Sequence, residues 1–168
     1  VRPKQNPHGN KEFEMSETMY VERLRMKENQ WVWMVEVEQF DLEADFGIDE
    51  ENLSQEICRM GLLLVRYATI AGEVSANLAR KEEAASLVKA QLSGAFRSQA
   101  ETDGKKITVD AIKDKVISDP LYQKALSELH ILRGDAVKID HWYRSCVKKA
   151  DLLNALAFRQ NSEIKRAY

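Results

Sequence analysis

Apolar positions recur along this chain at a spacing that belongs to long helices packed on a partner. Stepping alternately by four and three residues from Leu53 reaches Ile57, Met60, Leu64, Tyr67, Ala71, Val74, Leu78, Lys81, Ala85, Val88 and Leu92. Only Lys81 interrupts this heptad seam. Asp49 precedes it as a candidate N-cap, with Glu50 and Glu51 placed to oppose the positive end of a helix dipole. A helix over roughly 50–97 would be about 70 Å long at ~1.5 Å per residue. Leu62, Leu63, Val65 and Ile70 lie off the seam. The apolar face is therefore wider there than a two-helix contact needs, and another surface is expected on it.

A second seam starts at Tyr122 and continues through Ala125, Leu129, Leu132, Ala136, Ile139, Tyr143, Cys146, Ala150, Leu153 and Ala157 without a charged residue. Between the seams, the polar stretch Ser98 to Lys106 reads as a loop around Gly104. Thr108 then caps a short helix carrying Val109, Ile112 and Val116 on one face. Asp119-Pro120 closes that helix and opens the next, with Asp as N-cap and Pro at the first helical position. The pattern predicts a mostly α protein, a long antiparallel helical hairpin with a short connecting helix. Such a hairpin has a thin core, so homo-oligomerisation is expected to cover it. Leu62, Leu63, Val65, Ile70, Phe158 and Ile164 are the candidate interface residues.

The N-terminal part is less regular. Pro3, Pro7 and Gly9 among polar neighbours mark residues 1–14 as a disordered leader, and Met15, Met19 and Met26 are each residues at which a natural chain could begin. Residues 11–28 have loose helical spacing, whereas Trp31 to Glu38 is rich in strand formers. Residues 15–45 are thus expected as an extension with a helix and a short strand.

Composition narrows the function. No apolar run approaches the ~20 residues that cross a bilayer, because Arg66 breaks the richest stretch. The N-terminus lacks the apolar core of a signal peptide, so the cytoplasm is the expected compartment. Cys58 and Cys146 are expected as core thiols on two helices. His8 falls in the leader, and His130 and His141 lie about 16 Å apart by helical rise, too far to share a metal. Asp103-Gly104-Lys105-Lys106 lacks the remainder of a phosphate-binding loop. Neither catalysis nor a cofactor is expected.

Charge is divided unevenly. Residues 1–79 hold 8 Lys or Arg against 15 Asp or Glu, and residues 80–168 hold 17 against 12. Nine acids and no Lys or Arg fall within 31–56, a stretch suited to a basic protein surface and hostile to nucleic acid. Arg80, Lys81, Lys89, Arg97, Lys105 and Lys106, with Phe96 among them, gather toward the end of the first long helix. They have the composition of a groove that tracks a phosphate backbone beside an aromatic platform, although composition alone favours the alternative, a solvated face on which Glu82, Glu83, Glu101 and Asp103 neutralise them. Lys138, His141, Arg144, Lys148 and Lys149 form a weaker basic series on the second helix, for which the alternative is that it simply faces the acids of the first.

Two stretches carry a family resemblance. One runs from Phe46-Gly47-Ile48-Asp49 to Arg97, closing on Val88-Lys89-Ala90-Gln91-Leu92. The other runs from Val116-Ile117-Ser118-Asp119-Pro120-Leu121-Tyr122 to Leu156-Ala157-Phe158-Arg159 and Ile164-Lys165-Arg166. Residues 46–168 thereby resemble the UvsY-type phage recombination mediators. The resemblance implies a ring-forming helical protein in the host cytoplasm that binds single-stranded DNA, contacts a recombinase and the single-strand-binding protein, and promotes filament assembly. Lys89 matches the family's basic stretch, but Gln91 stands where a second cation is expected, so DNA binding would draw on avidity around the ring. The contrasting expectation is a coiled-coil structural or adaptor protein, such as a phage assembly factor, with no affinity for nucleic acid.

Overall fold

The structure is a computed structural model that describes residues 16–49 and 51–167. The expected leader at 1–14 lies outside the described residues. Two antiparallel strands, β1 (Ser16–Lys27) and β2 (Gln30–Asp41), precede four helices: α1 (Leu42–Phe46), α2 (Leu53–Thr102), α3 (Val109–Ser118) and α4 (Pro120–Ala167).

Helices α2 and α4 pack along each other, and their ion pairs give the direction. Glu56 meets Lys149 and Lys81 meets Glu128, so numbers rise on one helix as they fall on the other. This is the expected antiparallel hairpin. All twelve positions of the first seam and all eleven of the second are buried or half-buried. Heptad spacing keeps one stripe facing the partner from Leu53 to Leu92, about 60 Å at ~1.5 Å per residue.

Helix boundaries differ in detail from the expectation. Asp49 caps the turn before α2 instead of the helix itself: its carboxylate accepts from the Glu51 and Asn52 amides, and Asn52 occupies the N-cap. The segment 98–102, expected as loop, continues α2 to Thr102. Its residues are polar but helix-compatible, and Ala100 is buried. The chain breaks only at Gly104, whose φ of 63° suits a residue without a Cβ. Thr108 caps α3 by accepting from the Ala111 amide, and Asp119 accepts from the Leu121 amide at the start of α4, both as the sequence indicates.

The largest correction concerns residues 16–27, where the expected helix is a strand. β1 and β2 each span 12 residues and pair from Ser16↔Asp41 to Lys27↔Gln30. Glu28 and Asn29 join them with φ of 50° and 64°. Two positive values in a two-residue loop define the turn whose twist matches a hairpin. At its base the hairpin buries Met19, Val21 and Phe40 in one cluster with Leu63, Tyr67, Ile70 and Val74 of α2 and Ile139 of α4. The surface expected on the wide face of α2 is therefore the chain's own hairpin. Leu63 and Ile70, expected at an oligomer interface, are consumed by it, while Leu62 and Val65 remain 75% and 68% exposed. Phe158 and Ile164 are exposed as well. Of the two cysteines, Cys146 is buried, but Cys58 is exposed, against expectation.

Two polar systems lock the hairpin and α1 onto the rods. Arg23 bridges Glu36 and Glu38 of β2 and Glu73 of α2, and Arg66 donates to the Gln39 carbonyl. Hydrogen bonds from Arg25 and Arg23 draw the Glu36 carboxyl down to about 2. On the other side, the buried Lys149 ammonium donates to the Asp45 carbonyl at 3.1 Å and to the Gly47 carbonyl, and sits 2.8 Å from Glu56. Tyr67 donates to Asp45 at 2.9 Å. Gly47 ends α1 so tightly that a Cβ there would lie 2.8 Å from the Glu43 carbonyl oxygen.

Candidate nucleic-acid interface

The basic residues expected to act together fall into two groups with different fates. Arg80 and Lys81 are spent inside the protomer. Arg80 pairs with Glu22 of β1 and lies over the Trp33 ring, 3.5 Å from its centroid. Lys81 sits 3.0 Å from Glu128 and 3.7 Å from Glu22, and its pKa is raised, chiefly by the hydrogen bond to Glu128. Both side chains are about two-thirds covered and charge-compensated, so they tie the hairpin and α4 to α2 and offer little to a phosphate.

Arg97, Lys105 and Lys106 come together as expected. They rim a cleft of 460 Å³ between the end of α2, the following loop and α3. Ala100, Ile107, Val109 and Ile112 line it with apolar surface, and Glu101 is the acid on its wall. Local structure explains the convergence. Gly104 reverses the chain, and the Lys105 amide donates to the Ala100 carbonyl at 2.9 Å, which folds the two lysines back beside the last turn of α2. Arg97 and Lys106 have no ion partner among the described residues, and Lys105 meets only Asp103, at 3.8 Å. Two turns earlier, Lys89 is exposed on α2. Phe96 is half-buried, with the Lys115 ammonium 5.6 Å from its ring centroid. The cleft's apolar lining at Ile107 and the contribution of Lys115 were not foreseen; the run of Ile107, Val109 and Ile112 beside two lysines was their only signal.

The series on α4 is not a continuous basic face. Lys149 is buried beneath α1, Lys138 lies 3.5 Å from Glu17, and Arg144 lies 3.0 Å from Asp140. His141 and Lys148 are exposed. The acidic stretch is likewise drawn into the fold: Glu36 and Glu38 pair with arginines, Asp41 caps α1, and Asp45 and Glu56 lie in the buried system around Lys149. It presents far less free negative charge than its composition suggests.

Among the described residues, no group of three or more His, Cys, Asp or Glu is placed to hold a metal ion, and no helix is long and apolar enough to cross a membrane. No family model matches the chain, and neither the curated proteins nor the solved structures contain a significant match to it.

Proposed function

We propose that this protein binds single-stranded nucleic acid at the cleft between α2 and α3, as an oligomeric recombination mediator that helps a recombinase replace single-strand-binding protein. One observation carries the reading: Arg97 and Lys106 have no ion partner among the described residues and stand with Lys105 around an apolar cleft. Cations held beside apolar surface attract phosphates and give bases a surface to pack on, without reading sequence. The resemblance of residues 46–168 to UvsY-type mediators supplies the recombinase and the single-strand-binding protein as partners.

The test is fluorescence anisotropy of a labelled oligothymidylate across a salt series. Each neutralised phosphate adds about 0.7 to the magnitude of the log–log salt slope. Replacing Lys89, Arg97, Lys105 and Lys106 together with Ala should lower that magnitude by about 2–3 per protomer and leave helicity unchanged, since none of the four lies on a seam. No binding by the parent protein at low salt would refute the reading. A second reading, an adaptor that binds only protein, draws on the neutralisation of Arg80 and Lys81 by Glu22 and Glu128. The same assay separates the two.

A further inference from the structure

The β-hairpin has its polarity inside out. Cross-strand register assigns each residue to a face. The face bearing Met19 and Val21 continues toward the tip with Arg23, Arg25, Glu36 and Glu38, all ion-paired with one another or with α2, and with Val32 and Met34 beside the two arginines. The opposite face is apolar. From β1 it presents Tyr20, Leu24 and Met26, and from β2 Trp31, Trp33, Val35 and Val37, each between 43% and 64% exposed. A two-stranded sheet normally turns its apolar side to the core and its charges to water. Here paired charges occupy much of the side that packs on the core at its base, and the apolar residues of the other side stay roughly half exposed, with Trp33 and Glu22 at its edge against Arg80 of α2.

We propose that this outer hairpin face is the surface through which two copies of the chain associate. The amount of surface suits that occupant. Three aromatic side chains of about 150–250 Å² each, and four smaller ones, all roughly half exposed, amount to about 700 Å². A stable interface covers about 800 Å² per partner. Charge also favours a second copy. Glu22 is the one ionisable group centred on the face, and Arg80 and Lys81 compensate it within the protomer, so two faces meet without like-charge repulsion. A polyanion gains nothing there, because the nearby Arg80 is already stacked on Trp33 and paired.

Shape gives the arrangement. Along β2 the face runs from large residues at the tip, Trp31 and Trp33, to small ones nearer the base, Val35 and Val37. Two copies related by a two-fold axis and stacked antiparallel set tryptophans over valines, the alternation of large and small that fills an interlayer space. The 360 Å³ groove between Trp33, Val35 and the α2 segment at Arg80, Lys81 and Ala84 borders this face and widens the area a partner can cover. The other exposed residues expected at an interface, Leu62 and Val65 on α2 and Phe158 and Ile164 on α4, offer two side chains on each helix.

Sedimentation equilibrium of the full chain over about 1–100 µM tests the proposal independently of any nucleic acid. The parent should be dimeric or a multiple of the dimer. Trp31→Glu/Val37→Glu should raise the dissociation constant by about 100-fold or more at unchanged helicity, since like charges juxtaposed in an interface cost several kcal/mol. Leu62→Glu/Val65→Glu should leave the mass unchanged. If the charged hairpin variant fails to fold, the milder Trp31→Ser/Val37→Thr decides by the same shift in a smaller amount. A monomeric parent, which would leave the face to another kind of protein, overturns the proposal. So does a folded hairpin variant that keeps the parent's mass, or dissociation caused by the Leu62 and Val65 changes alone.

Discussion

Replacing Lys149 with Met tests whether α1 is held by charge. The Lys149 side chain is 4% exposed, its ammonium lies 2.8 Å from Glu56, and it also serves two backbone carbonyls at the end of α1. Methionine keeps the packing of the stem and deletes the ammonium. Removing one partner of a buried pair costs about 3–5 kcal/mol, because the other charge stays buried without compensation. The Glu56 Oε2 atom is wholly buried and, apart from its ion pair with the Lys149 ammonium, accepts no hydrogen bond among the described residues, so little else takes over. Arg59 lies 3.8 Å from the other Glu56 oxygen and relieves part of the loss. The expected cost is therefore near the lower end, about 3 kcal/mol, or a midpoint lowered by roughly 6–12 °C in a chain of this size. Urea unfolding followed by circular dichroism at fixed protein concentration measures it, since self-association would otherwise move the midpoint. Adding Glu56→Leu to Lys149→Met should restore much of the stability by replacing an orphaned charge with apolar contact. A single-variant loss below about 1 kcal/mol, or strictly additive effects in the double variant, would refute the assignment.

The quadruple change of Lys89, Arg97, Lys105 and Lys106 should flatten the salt dependence of single-stranded DNA binding, and the Trp31 and Val37 changes should dissolve the dimer while leaving that slope per protomer in place. In the hairpin turn, Glu28→Asn/Asn29→Gly should raise stability by about 1 kcal/mol, because both positions have positive φ and Asn-Gly suits this turn better; a lower melting temperature would contradict the turn assignment. Burial, aided by the nearby Asp45, pushes the Cys146 thiol up to about 11, and burial with the hydrogen bond to Asp45 raises Tyr67 above the usual tyrosine range. The folded chain thus holds protons that the unfolded chain releases from about pH 8.5 upward. Stability should be level below pH 8 and fall between about pH 9 and 11, and Cys146→Val should remove the earlier part of that fall; a flat profile to pH 11 would exclude it.

The two seams were legible because a heptad stripe needs only apolar residues at the right spacing, and each helix supplies them without help from distant segments. β1 was not legible for the opposite reason. A strand announces itself by alternation in one phase, and here the apolar residues change face midway, from Met19 and Val21 on one side to Leu24 and Met26 on the other, with Tyr20 on the second side from the start. The alternation is cancelled, and the Glu28-Asn29 turn lacks the Gly that marks a two-residue hairpin. Misreading the hairpin then hid the fate of the cations. Arg80 finds Glu22 58 residues away, across an element whose position no local pattern specifies, so the basic cluster looked larger than it is. For Lys149 the sequence offers an acid of the first helix, which the structure supplies as Glu56, but the Asp45 and Gly47 carbonyls about a hundred residues earlier come near only once the hairpin closes.

Much of the positive charge around the hairpin is paired within the protomer. Arg23, Arg25 and Arg66 are matched by acids of their own half of the sequence, and Arg80, Lys81, Lys138 and Lys149 of the basic half meet Glu22, Glu17 and Glu56 of the acidic one, so part of the difference in charge between the halves is settled within the structure. Two surfaces are left over: the apolar hairpin face, which borders α2 near Arg80, and the cationic cleft, which begins at Arg97. Seventeen residues of helix separate Arg80 from Arg97, about 25 Å of rod at ~1.5 Å per residue. One surface can be filled without blocking the other. In the proposed dimer each copy carries its own cleft at a fixed offset from the shared hairpin layer, so a strand bound at one cleft meets the second at high effective concentration. That arrangement would offset the modest charge of a single cleft, and it makes a specific demand: disrupting the hairpin face should weaken binding to long oligonucleotides that can span two clefts and spare binding to short ones that cannot.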